Sequence, residues 1–265
     1  MNKKFSLSLA WRNFCHYLPL LQNLIQRNLK KKYRTSVLGY AWCVLNPLLV
    51  MLIMTVVFSK MFDQNIENYP VYMFIGRMFY TLLSGGTAIV LRSIVENGNL
   101  MRKTRVPYYI FPLSSFSTAV VDFLFTLVAF ALVLLFTGSS LSIHILAFPL
   151  VVVEAFIMCF GLGFTLALLN VRMRDVNYMW GVFCTAWMYL SAIFYPITSL
   201  PENIQYLIST FNPLYYLIAQ GRDIFCSHVW PDVISLLRGF GFGLVMCGIG
   251  FYLYYKTKDD LILYV

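Results

Sequence analysis

The chain has 265 residues, of which 60% are apolar, 17% aromatic and 12% charged, whereas about a quarter of the residues of a soluble domain are charged. That balance excludes an ordinary soluble protein. A net charge of +9 would suit a nucleic-acid binder, but the cations are distributed as membrane topology requires.

The first 35 residues are polar and basic and lack the short apolar core and small-residue cleavage site of a signal peptide. Within residues 17–34, Leu18, Leu21, Ile25 and Leu29 recur at spacings of three and four, with Arg27, Lys30, Lys31 and Arg34 on other faces. This predicts an amphipathic helix in the headgroup layer. It would serve as an anionic-lipid anchor, as a docking surface for a partner, or as both. From Thr35 no charge occurs until Lys60, a run long enough to span a bilayer, since about 20 apolar residues cover a core about 30 Å thick.

Six spans are expected: 37–62, 69–91, 108–136, 143–169, 176–197 and 233–255. In the first, Pro47 frees a backbone carbonyl and bends the helix. The third and fourth are joined by a turn-like GSSLS at 138–142. Residues 198–231 are broken by Pro201 and Pro213; Ile204, Leu207, Ile208 and Phe211, then Leu214, Leu217 and Ile218, predict two short amphipathic helices parting at Asn212-Pro213. In the sixth span Gly239, Gly241, Gly243, Gly248 and Gly250 include a G-x-x-x-G at 239–243 that permits close helix contact, within one subunit or across a dimer. The fold class expected is an all-α polytopic membrane protein. Residues 1–36 form an amino-terminal segment and 37–265 the membrane domain.

With the amino terminus inside, segments 1–36, 92–107, 170–175 and 256–265 hold 16 of the 20 Lys and Arg residues. That asymmetry sets the orientation, with both termini cytoplasmic, and accounts for the positive charge without nucleic acid.

Arg77, Asp122 and Glu154 fall inside spans, where an ionisable group is costly unless it meets a partner or water. At 1.5 Å per residue, Arg77 lies about 12 Å, Asp122 about 10 Å and Glu154 about 16 Å from the outer ends of their spans. Similar depth in the outer half predicts that Arg77 pairs with Asp122, Glu154 or both in a structural network; the competing reading is a proton or ion relay.

No catalytic constellation is present. His16, His144 and His228 are scattered, Gly-Lys does not occur, and the six cysteines are far apart without a CxxC pair. No metal or cofactor is expected in this chain, and any ATP-driven step needs another chain. The loop at 92–107, RSIVENGNLMRKTRVP, is the place where such a partner would push.

Three blocks, RNLKKKYRTSVLGYAWCVLNPLL (27–49), ENGNLMRKTRVPYYIFPLSS (96–115) and residues 174–225 from RDVNYMWG to GRDIF, resemble the permease subunits of ABC-2-type polysaccharide exporters, which serve O-antigen, capsule and teichoic-acid export. The resemblance implies a permease, not an enzyme, in the cell membrane. It implies a second copy of this chain, two ATPase subunits holding ATP and Mg, and a lipid-linked glycan as cargo. It further implies a coupling helix over 93–106, with Glu96, Asn99, Arg102 and Lys103 as contacts to the ATPase. The helix at 17–34 would touch the ATPase as well. The region 198–228 would form re-entrant helices at the outer mouth, marked by Pro201, Asn212 and Pro213.

A glycan path also has a physical rationale, because aromatic rings stack on the apolar faces of sugars. Trp180, Phe183, Trp187 and Phe194 recur on one stripe of the fifth span, and Tyr40 and Trp42 sit early in the first. Core packing or an interfacial belt is the competing explanation. Alternative functions are export of a small amphiphile or drug by the same fold, and ion-coupled secondary transport through Arg77, Asp122 and Glu154.

Overall fold

The computed structural model describes residues 7–33, 38–62, 66, 68–103 and 106–257. Among them every regular element is helical. Helix α1 (Leu7–Tyr33) ends in Lys30, Lys31 and Lys32, cations that complement the negative end of the helix dipole. A 3-10 turn, Gly39–Ala41, leads into α2 (Trp42–Phe62). Helix α3 (Tyr69–Thr81) continues through a π-helical turn, Leu82–Gly86, into α4 (Thr87–Glu96), and Asn97 separates α4 from the short α5 (Gly98–Lys103). Helix α6 (Ile110–Thr137) stops at Gly138, whose φ of 64° lets the Ser139 N–H reach the Leu134 carbonyl; a residue with a side chain is strained there.

Helix α7 (Phe148–Arg172) follows the 3-10 turn Ile143–Ala147, and α11 (Val233–Thr257) lies against it. Glycines set that contact. A Cβ at Gly239 would overlap the Glu154 carboxylate, one at Gly243 would sit 3.0 Å from Ile157, and one at Gly250 would sit 2.8 Å from Phe164. Gly161 answers from α7, where a Cβ would come within 2.8 Å of the Cys247 nitrogen. The G-x-x-x-G pair is therefore used within one subunit. Gly241 and Gly248 face open space. Residue numbers rise together along both helices, so α7 and α11 run parallel, and residues 173–232 must carry the chain back along the bundle.

That return uses α8 (Asp175–Tyr189), a turn at 190–195, α9 (Glu202–Phe211) and α10 (Pro213–Phe225). The boundary at Asn212-Pro213 is where the sequence places it. Helix α8 is shorter than the expected 176–197: 15 residues rise about 22 Å. Five helical stretches among the described residues are long and apolar enough to cross a membrane, at Gly39–Phe58, Tyr69–Lys103, Ile110–Thr137, Ile143–Arg172 and Val233–Thr257. They match the other five expected spans to within a few residues, except that the helix predicted to end at 91 runs on to Lys103.

Two apolar cores hold the bundle. The larger joins α3, α6, α7 and α10 through Phe79, Phe123, Phe130, Met158 and Phe225. The smaller lies at the basic end, where Leu21 and Leu24 of α1 meet Ile94, Met101, Phe111 and Phe164. Helix α1 thus docks on the bundle rather than only lying in the headgroup layer. Leu18, expected on its apolar face, is 37% exposed, and Leu24 takes its place. The expected boundary at 36 and Arg34 lie outside the described residues.

Candidate functional site

At the basic end, Asn97 breaks the helix between α4 and α5. Its amide donates to the Ser93 carbonyl at 2.7 Å, and its Oδ1 accepts from Arg27 Nη2 of α1 at 2.6 Å. Gly98 and Met101 are buried, whereas Glu96, Asn99, Arg102 and Lys103 are exposed. Asn99, Arg102 and Lys103 share the three- and four-residue spacing of one face of α5, and Glu96 closes α4 before the break. Arg92 pairs with Glu96 at 3.6 Å and donates to Asn177 of α8 at 3.4 Å. The junction is thereby bonded to both α1 and α8. Neither Asn97 nor Asn177 was singled out in the sequence, since an asparagine in a polar turn carries no signal of its distant partner. Lys30 and Lys31 are exposed on α1 near Arg27.

The aromatic residues of α8 form one ladder. Trp180 stacks on Phe183 with ring centroids 5.1 Å apart, and Phe183 meets Trp187 at 5.4 Å. The Trp180 indole donates to Thr87 of α4 at 2.9 Å. Phe183 is 50% exposed while Trp187 is 6% exposed, so the ladder passes from the surface into the core. Phe194 is buried and stacks on Phe58 of α2 at 5.3 Å. Tyr40 stacks on Phe125 of α6 at 6.4 Å, and Trp42 is exposed nearby. Trp180, Phe183 and Trp187 therefore keep the expected stripe, Phe194 leaves it for α2, and Tyr40 and Trp42 stand apart at the start of the first span.

Below the ladder, Asn212 satisfies both halves of its amide. Its Oδ1 accepts from the Trp187 indole at 2.7 Å and from the Leu214 and Tyr215 N–H groups at 3.1 and 3.3 Å, capping α10. Its Nδ2 donates to the Leu190 carbonyl at 3.1 Å and to Ser191 Oγ at 2.9 Å. Asn212 ties α8, the turn after it and α10 together, with Pro213 as the first residue of α10 and Pro201 preceding α9.

The turn at 190–195 has further donors. Arg222 of α10 is 8% exposed, donates to the carbonyls of Ala192 and Ile193 at 2.9 and 3.1 Å, and lies 3.4 Å over the Tyr72 ring. The hydroxyls of Tyr69 and Tyr72 donate to the carbonyls of Phe194 and Tyr195 at 3.0 and 3.1 Å. Protein side chains thereby satisfy the carbonyls of this unwound stretch, as buried backbone requires. In the sequence Arg222 falls in the segment 198–231, outside the expected spans. Only the helical spacing of α10 hints that it points inward.

The three ionisable residues expected to pair do not. Asp122 accepts from Lys32 of α1 at 2.9 Å. Glu154 is buried against Gly239 and accepts from Gln220 at 3.4 Å. Arg77 lies 5.5 Å over the Tyr80 ring and 3.6 Å from Met188 Sδ, without a carboxylate in ion-pair range among the described residues. The three stand at neighbouring levels along the bundle, as contacts of Phe123 with Phe79 and Phe156 show. Their directions around the helix axes were not legible in the sequence: Glu154 faces α11, and Asp122 faces the end of α1. Arg77, Asp122 and Lys32 do line one cavity of about 430 Å³, between α2, the α3–α4 π-turn and α6.

Residues 19–226 match the profile of the family described as ABC-2 type transporter. The chain is 31% identical over 231 residues to the O-antigen export system permease protein RfbA of Myxococcus xanthus, covering 85% of this chain and 87% of that protein. It is 27% identical over 248 residues to a protein of the same name from Klebsiella pneumoniae, covering 93% and 95%, and 27% identical over 242 residues to another of that name from the same organism.

Proposed function

The chain belongs to the ABC-2 type transporter family, and from that premise we propose that it is the permease of an exporter that carries a lipid-linked polysaccharide across the cell membrane, driven by a separate ATPase. The observation that carries the cargo is the likeness, over nearly the whole chain, to relatives named as O-antigen export permeases. ATP and Mg would be bound by two ATPase subunits, and two copies of this chain would form the path.

The parallel course of α7 and α11 supports six crossings, with α8 and the turn after it making the fifth and α9–α10 re-entering from the far side. The Lys and Arg asymmetry supports a cytoplasmic α1 end and cytoplasmic termini. Glu96, Asn99, Arg102 and Lys103 would receive the push of the closing ATPase. Asn97 would pass it to α1 through Arg27, and Arg92 to α8 through Asn177, so the segments flanking the path move together. Phe183 and its neighbours Trp180, Tyr40 and Trp42 would offer ring faces to the passing glycan, while Trp187 and Phe194 hold α8 in place. Residues around Asn212 and Pro213 would close the outer mouth. Ion-coupled transport has less support, because Glu154 faces α11 and Gln220, away from the cavity that Arg77 and Asp122 share.

The test is complementation of a strain lacking this gene and its ATPase, scored by surface polysaccharide. Restoration by the pair, and by neither alone, is the expected result. Restored drug efflux without surface glycan would replace the cargo with a small amphiphile.

A further inference from the structure

We propose that the cavity between α2, the π-turn and α6 binds the phosphate headgroup of a membrane lipid, with Arg77 and Lys32 as its cationic contacts. Its wall holds two cations and one carboxylate, Asp122, and the carboxylate is already engaged by Lys32 at 2.9 Å. Arg77 is left with a ring face and a thioether, neither of which neutralises it. A cation at membrane depth is costly without an anionic partner or water, and basic pockets between membrane helices take lipid headgroups.

The remaining wall suits such a ligand. Trp42 and Asn46 bring N–H groups, whereas Val50, Phe74 and Met78 are apolar, so one cavity can hold a phosphate and the start of a hydrocarbon chain. The π-turn places Gly85 on the wall, where a Cβ would meet nothing within 4 Å and the short residue leaves the cavity wide, and π-turns concentrate at functional sites. A volume of about 430 Å³ falls in the range of small-molecule sites. Guanidinium is the side chain best shaped for phosphate oxygens.

The shared chemistry is a lipid phosphate, from bulk phospholipid or from the polyprenyl carrier of the glycan. Assignment to the carrier rests on the reading of the cargo as a lipid-linked glycan; the site itself rests on the cavity alone. Helix α1 would report occupancy, because it touches the cavity through Lys32 and the α4–α5 junction through Arg27.

The experiment titrates the permease in phosphatidylcholine nanodiscs with phosphatidylglycerol or with undecaprenyl phosphate and counts retained lipid by native mass spectrometry. The wild type should retain one of them at about tenfold lower mole fraction than Arg77→Gln, with Arg77→Lys recovering part of the difference. Asp122→Asn should tighten retention by removing the competing carboxylate, and Lys32→Gln should weaken it. These opposite shifts decide the matter even if Arg77→Gln fails to fold. Equal retention by the wild type and Arg77→Gln, weaker retention by Asp122→Asn, or no preference of the wild type for either lipid over phosphatidylcholine would overturn the site. Undecaprenyl phosphate that phosphatidylglycerol does not displace assigns the site to the carrier. Retention of phosphatidylglycerol alone keeps the site and removes the carrier from it. A failed complementation for surface glycan would move neither result.

Discussion

Lys32 and Asp122 are 90 residues apart in sequence and meet at 2.9 Å, so the end of α1 is held against the middle of α6. The lysine side chain is 47% exposed and the aspartate 21%, which places the pair between a surface and a buried ion pair. Screening at the lysine limits the coupling to about 1 kcal/mol. A double-mutant cycle with Lys32→Ala and Asp122→Asn, read by thermal unfolding in detergent, should return a coupling of about that size. Strictly additive shifts would show that the pair contributes nothing.

Gly239→Ala should be strongly destabilising, by about 3 kcal/mol or more, because the new methyl group overlaps the Glu154 carboxylate in a close-packed contact. Gly241→Ala, two residues on and facing open space, should be neutral or stabilising by up to about 1 kcal/mol, as alanine favours the helix. Melting temperatures of the two variants compare them directly. Equal melting would mean that α7 and α11 are not in contact along this face.

Asn212→Ala should cost about 2–4 kcal/mol, since it leaves a buried indole N–H, the Leu214 N–H and the Leu190 carbonyl without their partner, while the Tyr215 N–H keeps the backbone carbonyl of residue 212. Asn212→Asp keeps the acceptor and loses the donor, and should fall between the two. Trp187 lies on this bond, so the shift of its fluorescence on unfolding is a convenient measure. A wild-type melting curve for Asn212→Ala would remove the hub.

Charge reversal at Arg102 and Lys103 together, to Glu, should lower co-purification of the ATPase about tenfold, a loss of about 1.4 kcal/mol across a polar contact. Arg27→Ala should leave co-purification intact and lower export, because it cuts the link to Asn97 and not the docking face. Loss of both properties in Arg27→Ala would mean that α1 itself docks the partner.

Phe183→Ala should lower export with little loss of stability, as the ring is half exposed. Trp187→Ala should lower both, by about 3–5 kcal/mol in stability, since it empties a buried site. Surface glycan and melting temperature, measured on each variant, separate a path residue from a packing residue.

How legible these features were depends on whether they run along the chain or across it. The apolar runs and the Asn212-Pro213 break are local, and five helices and the α9–α10 boundary stand where periodicity puts them. Relative level was legible too, because helical rise converts residue count to distance: Arg77, Asp122 and Glu154 lie at neighbouring levels along the bundle. What failed was azimuth. Nothing in the sequence says that Asp122 turns toward α1 while Glu154 turns toward the glycines of α11, and so the expected network dissolved into separate contacts. The same holds for Arg222, which falls outside the expected spans and which α10 folds under the 190–195 turn. Among the glycines, the sequence marks Gly239 and Gly243, whereas the roles of Gly161 and Gly250 depend on a partner helix.

The turn at 190–195 also bears on how the chain enters the membrane during synthesis. Helix α8, at about 22 Å, is too short to cover the hydrocarbon core alone, and the carbonyls beyond it would meet lipid without donors. Tyr69 and Tyr72 are made before those carbonyls, and Arg222 and Asn212 soon after. On the reading of α8 and this turn as the fifth crossing, the segment from α8 through α10 would leave the insertion machinery as one unit and settle against an α3 that is already in place. A variant lacking the Arg222 guanidinium should be lost at that step to quality-control proteases, rather than reach the membrane as a finished but inactive permease.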